Sequence, residues 1–92
     1  MDGSADERVY VADTFNNRVQ VFSSDGAFLF KWGSQGSGDG QFHFPVGIAV
    51  DGSGRVYVTD RGNHRVQVFD ADGTFLRKWG SQGREDGQFD NP

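Results

Sequence analysis

Residues 28–42 read FLFKWGSQGSGDGQF, and residues 75–89 read FLRKWGSQGREDGQF. The doubling runs through nearly the whole chain. Shifted by 47 positions, Arg8–Pro45 lies on Arg55–Pro92 with 26 of 38 residues identical and 12 different. Two stretches this alike share one structure. The fold is therefore expected to use one unit twice.

The unit divides into short runs separated by turn chemistry. In the second copy, GIAVD (Gly47–Asp51) is a short apolar run, followed by the turn DGSG (Asp51–Gly54). RVYVTD (Arg55–Asp60) is rich in β-branched and aromatic residues, and RGNH makes a loop. RVQVF (Arg65–Phe69) alternates, with Val66 and Val68 on one face and Gln67 and Phe69 on the other. The Asp-Gly of DADG suits a hairpin turn, and TFLRKWG (Thr74–Gly80) is the fourth run. We label the four runs a to d. No segment sustains the apolar spacing of a helix.

Four short antiparallel strands in a repeat of this length describe a blade of a β-propeller. Both faces of such a sheet are apolar: Val9 and Val11 point one way, Tyr10 and Ala12 the other. The sheet cannot cover itself and needs a neighbour on each side. A two-layer sandwich is the rival architecture. The likeness of the two copies favours the propeller. The predicted fold is all-β, with about two blades per chain. Residues 1–45 form the first blade (b, c, d) with its connection, and residues 46–92 form the second (a, b, c, d). The predicted core is Val19, Val21, Ile48, Val50, Val56, Val58, Val66 and Val68.

The stretch PVGIAVDGSGRVYVTDRGNHRVQVFDADGTFLRKWGSQG resembles an NHL repeat, the blade unit of one group of β-propellers. Pro45, the Gly47–Asp51 run, the Val-Tyr-Val-Thr-Asp strand, Asn63, Arg65-Val66, Phe69 and the Gly before Phe75 carry the likeness. The first copy matches through RVYVADTFNNRVQVFSSDGAFLFKWG. The resemblance implies a six-bladed ring in most members. It also implies protein- or RNA-binding platforms, extracellular sensors and, in one branch, a zinc-dependent lyase.

Two copies are fewer than six, and the first lacks run a. Asp2-Gly3-Ser4 resembles the turn at Asp51–Ser53, and Pro92 corresponds to Pro45. Such a frame is expected of an excised or engineered piece, or of part of a longer chain. The aromatic residues Phe22, Phe28, Phe69, Phe75, Trp32 and Trp79 exceed what so short a chain can cover, which implies association. Three copies would supply six blades, through a head-to-tail contact that must close. Pro92 of one copy is then expected near Asp2–Arg8 of the next. A dimer packing blade faces together is the alternative.

The glycine-rich run after strand d must cross the blade to the next strand a, about 14 Å for three strand gaps. Its glycines are expected to let it bend freely, with Phe42 and Phe89 as anchors. A phosphate loop would need a helix after it, and here a strand follows. Asp13 and Asp60 end strand b, while Arg18 and Arg65 begin strand c. Each Asp–Arg pair is a candidate cross-strand ion pair with a fold role. Asn16 and Asn63 are expected at positive φ. Trp32 and Trp79 are expected to pack between blades.

Composition excludes several classes. There is no cysteine, hence no disulfide and no Cys-based zinc site. His43 and His64 are too few for a metal site of three or four convergent ligands. Asp70 and Asp72 lack the other ligands of a calcium loop. No serine sits in a His-Asp setting. No metal or cofactor is expected, and no catalytic residue. No apolar run reaches transmembrane length, so no membrane partner is expected. The start, MDGSADERVYV, has no apolar h-region. A chain expressed as it stands is expected in the cytoplasm, although the sequence names no compartment.

Seven of the 12 differences fall in the b–c loops and d–a connections, which alternation puts at one end of a blade. They are Thr14/Arg61, Phe15/Gly62, Asn17/His64, Ser37/Arg84, Gly38/Glu85, His43/Asp90 and Phe44/Asn91. Drift in unconstrained loops explains this, and so does an asymmetric ligand. The binding-face candidates are Thr14, Phe15, Asn17, Arg61, His64, Arg84 and Glu85. The leading expectation is a non-catalytic propeller module that self-associates and binds a protein or peptide on this face. RNA binding is the second reading, through a patch of Arg18, Arg61, Arg65 and Arg84. The net charge of −4, with nine Lys and Arg against 13 Asp and Glu, weighs against nucleic acid. A fragment of a zinc-dependent lyase-like propeller is the third.

Overall fold

The runs of β-branched and aromatic residues become seven strands in a computed structural model that describes residues 7–90 and 92. They are β1 (Arg8–Asp13), β2 (Arg18–Ser23), β3 (Phe28–Trp32), β4 (Pro45–Val50), β5 (Val56–Asp60), β6 (Arg65–Phe69) and β7 (Phe75–Trp79). Among the described residues there is no α-helix; the b–c loops Thr14–Asn16 and Arg61–Asn63 each form one 3-10 turn. The strands make two antiparallel sheets, in the orders β1-β2-β3 and β4-β5-β6-β7. These are propeller blades, the first with three strands among the described residues. The turn expected at Asp2-Gly3-Ser4 lies outside those residues.

Two turns of the second blade use one device. Asp51 Oδ1 accepts the amides of Ser53 (2.8 Å) and Arg55 (3.0 Å), and Asp70 Oδ1 accepts those of Asp72 (2.9 Å) and Thr74 (3.0 Å). Each is an Asx turn that sets the following strand. The register in the second sheet pairs Val56 with Phe69, Val58 with Gln67 and Asp60 with Arg65. The first sheet repeats it as Val9 with Phe22, Val11 with Gln20 and Asp13 with Arg18.

The core forms where the two sheets meet. The first contributes Val19 and Val21, with Tyr10, Phe30 and Trp32 beside them. The second contributes Val56, Val58 and Phe69, and the connection between blades adds Phe42. Trp32 and Phe42 lie 5.3 and 5.7 Å from the Phe69 ring. Trp32 therefore packs between blades. Its counterpart Trp79 stands half exposed on the free face of the second blade. Gly33 sits at φ +109°, and a Cβ there would meet the Phe42 ring at 2.7 Å. Only glycine lets strand β3 end directly over that ring.

Three sequence expectations need correction. Positive φ falls on Asn17 (54°) and His64 (53°), not on Asn16 and Asn63. The 3-10 turn occupies the first three loop residues, so its left-handed cap comes one residue later. The glycine-rich connection does not bend freely. Gly36 donates to Phe42 O (3.0 Å), Phe42 to Ser34 O (2.9 Å) and Gln41 to Gly38 O (3.0 Å), closing a compact loop. Finally, Val50 is 48% exposed, and Val66 and Ile48 are half-buried. Val50 and Ile48 share the Val56 and Val58 side of the sheet, and no strand a among the described residues stands opposite them in the first blade. Val66 lies on the face of the second blade that no other described sheet covers.

Candidate functional site

Asp60 and Gln67 are fully buried polar groups, and the first is a carboxylate. Asp60 ends β5, and its Oδ2 accepts from Arg65 Nε (2.8 Å), Asn63 Nδ2 (3.0 Å) and Gln67 Nε2 (3.3 Å). Its Oδ1 accepts the His43 amide (2.8 Å). Pairing of Asp60 with Arg65 in the ladder places both groups at one sheet end. The positioned side chains then grip the connection from the first blade. Arg65 Nη1 donates to Ser37 O (2.9 Å), and Nη2 to Gly38 O (2.9 Å) and Gln41 O (2.8 Å). Gln67 receives the Gly40 amide (2.9 Å) and donates to Gln41 O (2.7 Å). Asn63 donates to Gly36 O (2.9 Å). A planar guanidinium suits this fan of carbonyls better than an ammonium would.

The first blade carries the same constellation. Asp13 Oδ2 accepts from Arg18 Nε (2.8 Å), Gln20 Nε2 (3.0 Å) and Asn16 Nδ2 (3.1 Å). The Arg18 and Asn16 bonds hold the Asp13 carboxyl below the ordinary carboxylate range. Here, however, no connection among the described residues lies over the cluster. Arg18 and Asp13 keep 30% and 22% side-chain exposure, against 7% and 0% for Arg65 and Asp60.

The loop face lies at the same end. Phe15 is 85% exposed and meets the Phe44 ring edge-to-face at 6.1 Å, and His43 stacks on Phe44 at 4.5 Å. Phe44 has φ +57°, a conformation that costs energy for a bulky residue. It is clamped there: its amide donates to Asn17 Oδ1 (2.8 Å), and its carbonyl accepts from the Arg61 amide (3.3 Å). Thr14, Phe15, Phe44, Arg61 and Gly62 line one shallow depression.

Of the binding-face candidates, Thr14, Phe15 and Arg61 thus come together. Asn17 is buried and serves the backbone of Phe44. His64 lines a different depression with Lys78 and Trp79. Arg84 and Glu85 are exposed in the second glycine-rich connection. The basic patch expected of four arginines does not form, because Arg65 is buried on Asp60 and Arg18 is paired with Asp13. Among the described residues, no three His, Asp or Glu side chains converge. Sequence reasoning missed the side-chain roles of Asn16, Asn63, Gln20 and Gln67. A glutamine repeated between the Arg and the Phe of one strand face was the signal for the last two.

Residues 42–69 match the family model of the NHL repeat. Over 47 residues, 51% of the chain, the sequence is 40% identical to Protein brain tumor of Drosophila melanogaster. The fold is similar to the crystal structure of a Bacteroides fragilis protein described as exported, with a TM-score of 0.67 and 27% identity over 77% of the chain. The chain spans 4% of the length of the Drosophila protein and 21% of the Bacteroides one.

Proposed function

Because this chain is an NHL-repeat protein, we propose that it works as a non-catalytic propeller module that associates with further copies of itself through its blade faces. One observation carries the reading. Val56 and Val58 are fully buried, while their repeat counterparts Val9 and Val11 are 48% and 39% exposed. The first pair faces a neighbouring blade and the second faces solvent. The opposite face of the second blade offers Val66, Tyr57 and Trp79, with Val68 already buried in it; these are the counterparts of the Val19, Tyr10, Trp32 and Val21 that pack with Val56 and Val58. Each chain thus presents both halves of the contact it contains. Such a contact is heterologous and closes into a ring or grows open-ended. A trimer is the favoured closure, since it supplies six blades.

The contact between copies is weaker than the internal one. Arg77 stands where the first blade has Phe30, which makes the free face more polar. Light scattering over a concentration series tests the reading. The expected mass at high concentration is three times the 10.1 kDa of one chain. A mass that stays at one chain would overturn it. The depression at Phe15, Phe44 and Arg61 is the place for a protein or peptide ligand, because it combines exposed aromatic surface with a cation.

A further inference from the structure

Building on the blade-face association proposed for this chain, we propose that Asp13, Asn16, Arg18 and Gln20 form a cradle for residues 83–89 of a second copy, and that Phe15 loosens this contact.

The occupant is identified by the one already seated inside the chain. Asp60, Asn63, Arg65 and Gln67 hold residues 36–42, and the first-blade cluster sits 47 positions earlier with the same internal bonds. Its outward donors engage no described residue: Arg18 uses only Nε, and Gln20 only its bond to Asp13. Residues 83–89 already have the shape of the seated loop. Gly83 and Gly87 have φ 155° and 81°, against 157° and 79° at Gly36 and Gly40. Gly83 donates to Phe89 O (3.0 Å), Phe89 to Ser81 O (2.7 Å) and Gln88 to Glu85 O (2.9 Å), repeating the closure of residues 34–42. Cradle and loop are therefore both preformed, which lowers the ordering cost of docking.

Equivalence assigns the contacts. Arg18 would donate to the carbonyls of Arg84, Glu85 and Gln88 of the second copy, and Gln20 would bond Gly87 and Gln88. Lys78 bonds Asp39 at 2.7 Å within the chain, so Lys31 would meet Asp86 between copies.

Phe15 breaks the equivalence. Its counterpart is Gly62, where a Cβ would lie 2.5 Å from the carbonyl oxygen of His43. A backbone atom at that distance must move, so the second copy's Asp90 cannot settle over Phe15 as His43 settles over Gly62. The grip on residues 83–88 remains and the far end of the connection is displaced.

A mixture of 14N- and 15N-labelled full-length chains, coupled with a zero-length carbodiimide, locates the contact by mass spectrometry. The expected product is a mixed-label Lys31–Asp86 link beside a single-label Lys78–Asp39 link. Sedimentation then measures association of variants whose folding is checked by circular dichroism. Arg18→Lys, which keeps the charge beside Asp13, and Gln20→Ala should each weaken association about tenfold. Phe15→Gly should strengthen it by about the same factor. If the chain associates without the mixed-label link, and both cradle variants associate as the parent does, the cradle is wrong and blade-face association stands. If Phe15→Gly associates no more tightly, the role of Phe15 is wrong. A chain that stays monomeric overturns the cradle and the association together.

Discussion

Asp60 and Asp13 hold the same partners, but their surroundings differ. Removing Arg65 leaves a fully buried carboxylate without its cation, so Arg65→Ala should lower stability by about 3–5 kcal/mol. Arg18→Ala exposes its partner to water and should cost at most about 1 kcal/mol in dilute solution. Urea denaturation of the two variants measures the contrast, and equal losses would refute it. Acid acts on a related set of carboxylates. Asp13 is held low mainly by the bond from Arg18, Asp51 by the Arg55 amide and Asp70 by the Thr74 amide. A carboxyl lowered in the folded state stabilises fully above its unfolded value and loses that contribution as pH falls through the folded one. The urea midpoint should therefore hold near neutrality and drop below about pH 4. A midpoint unchanged to about pH 2.5 would contradict these bonds.

At the scale of the strand, β6 and β2 have the same sequence over their first five residues but different neighbours. Phe69 in β6 is fully buried against Trp32, Phe42 and Phe75. Phe22 in β2 is half-buried, with Phe28 as its ring contact. Phe69→Ala should cost about 3–5 kcal/mol through lost burial and a cavity. Phe22→Ala should cost clearly less in the monomer, and the gap should narrow at concentrations where chains associate. Val68→Ala, at a fully buried site, should cost about 1–3 kcal/mol, and Val66→Ala less, because Val66 is half-buried. Thermal unfolding of the four variants at two concentrations checks both comparisons.

The described residues form two blades whose outer faces no other described sheet covers. Introducing Asp at Phe69 places a charge in the only extensive core among the described residues and should abolish cooperative unfolding. Val50, exposed beside Arg8 and Tyr10, marks where a strand a of the first blade would pack. A chain with Val-Gly-Ile-Ala-Val ahead of Asp2 should raise the melting temperature and tighten association by pairing along β1. Calorimetry and sedimentation read these two effects. A gain in neither would mean that β1 does not accept an inner strand.

The repeat alone determined the strands, the turns, the blade and the Asp–Arg pairs, because these depend on local periodicity and on partners a few residues away. Val19 and Val66 sit in the same RVQVF run, yet Val19 is fully buried and Val66 half-buried. What two identical residues do at different places was decided only in the tertiary structure. Val9 and Val56, Arg18 and Arg65, Trp32 and Trp79 are the same letters in the same repeat positions, yet one of each pair is covered and the other faces water. Burial, and the energy of every buried bond, depends on which sheet or loop lies opposite, and no residue of a repeat encodes whether its neighbour is there. The grip of Arg65 on residues 37–41 and the left-handed Phe44 clamped by Asn17 belong to this class. They join residues about half a repeat or more apart, brought together only when one blade closes on the next.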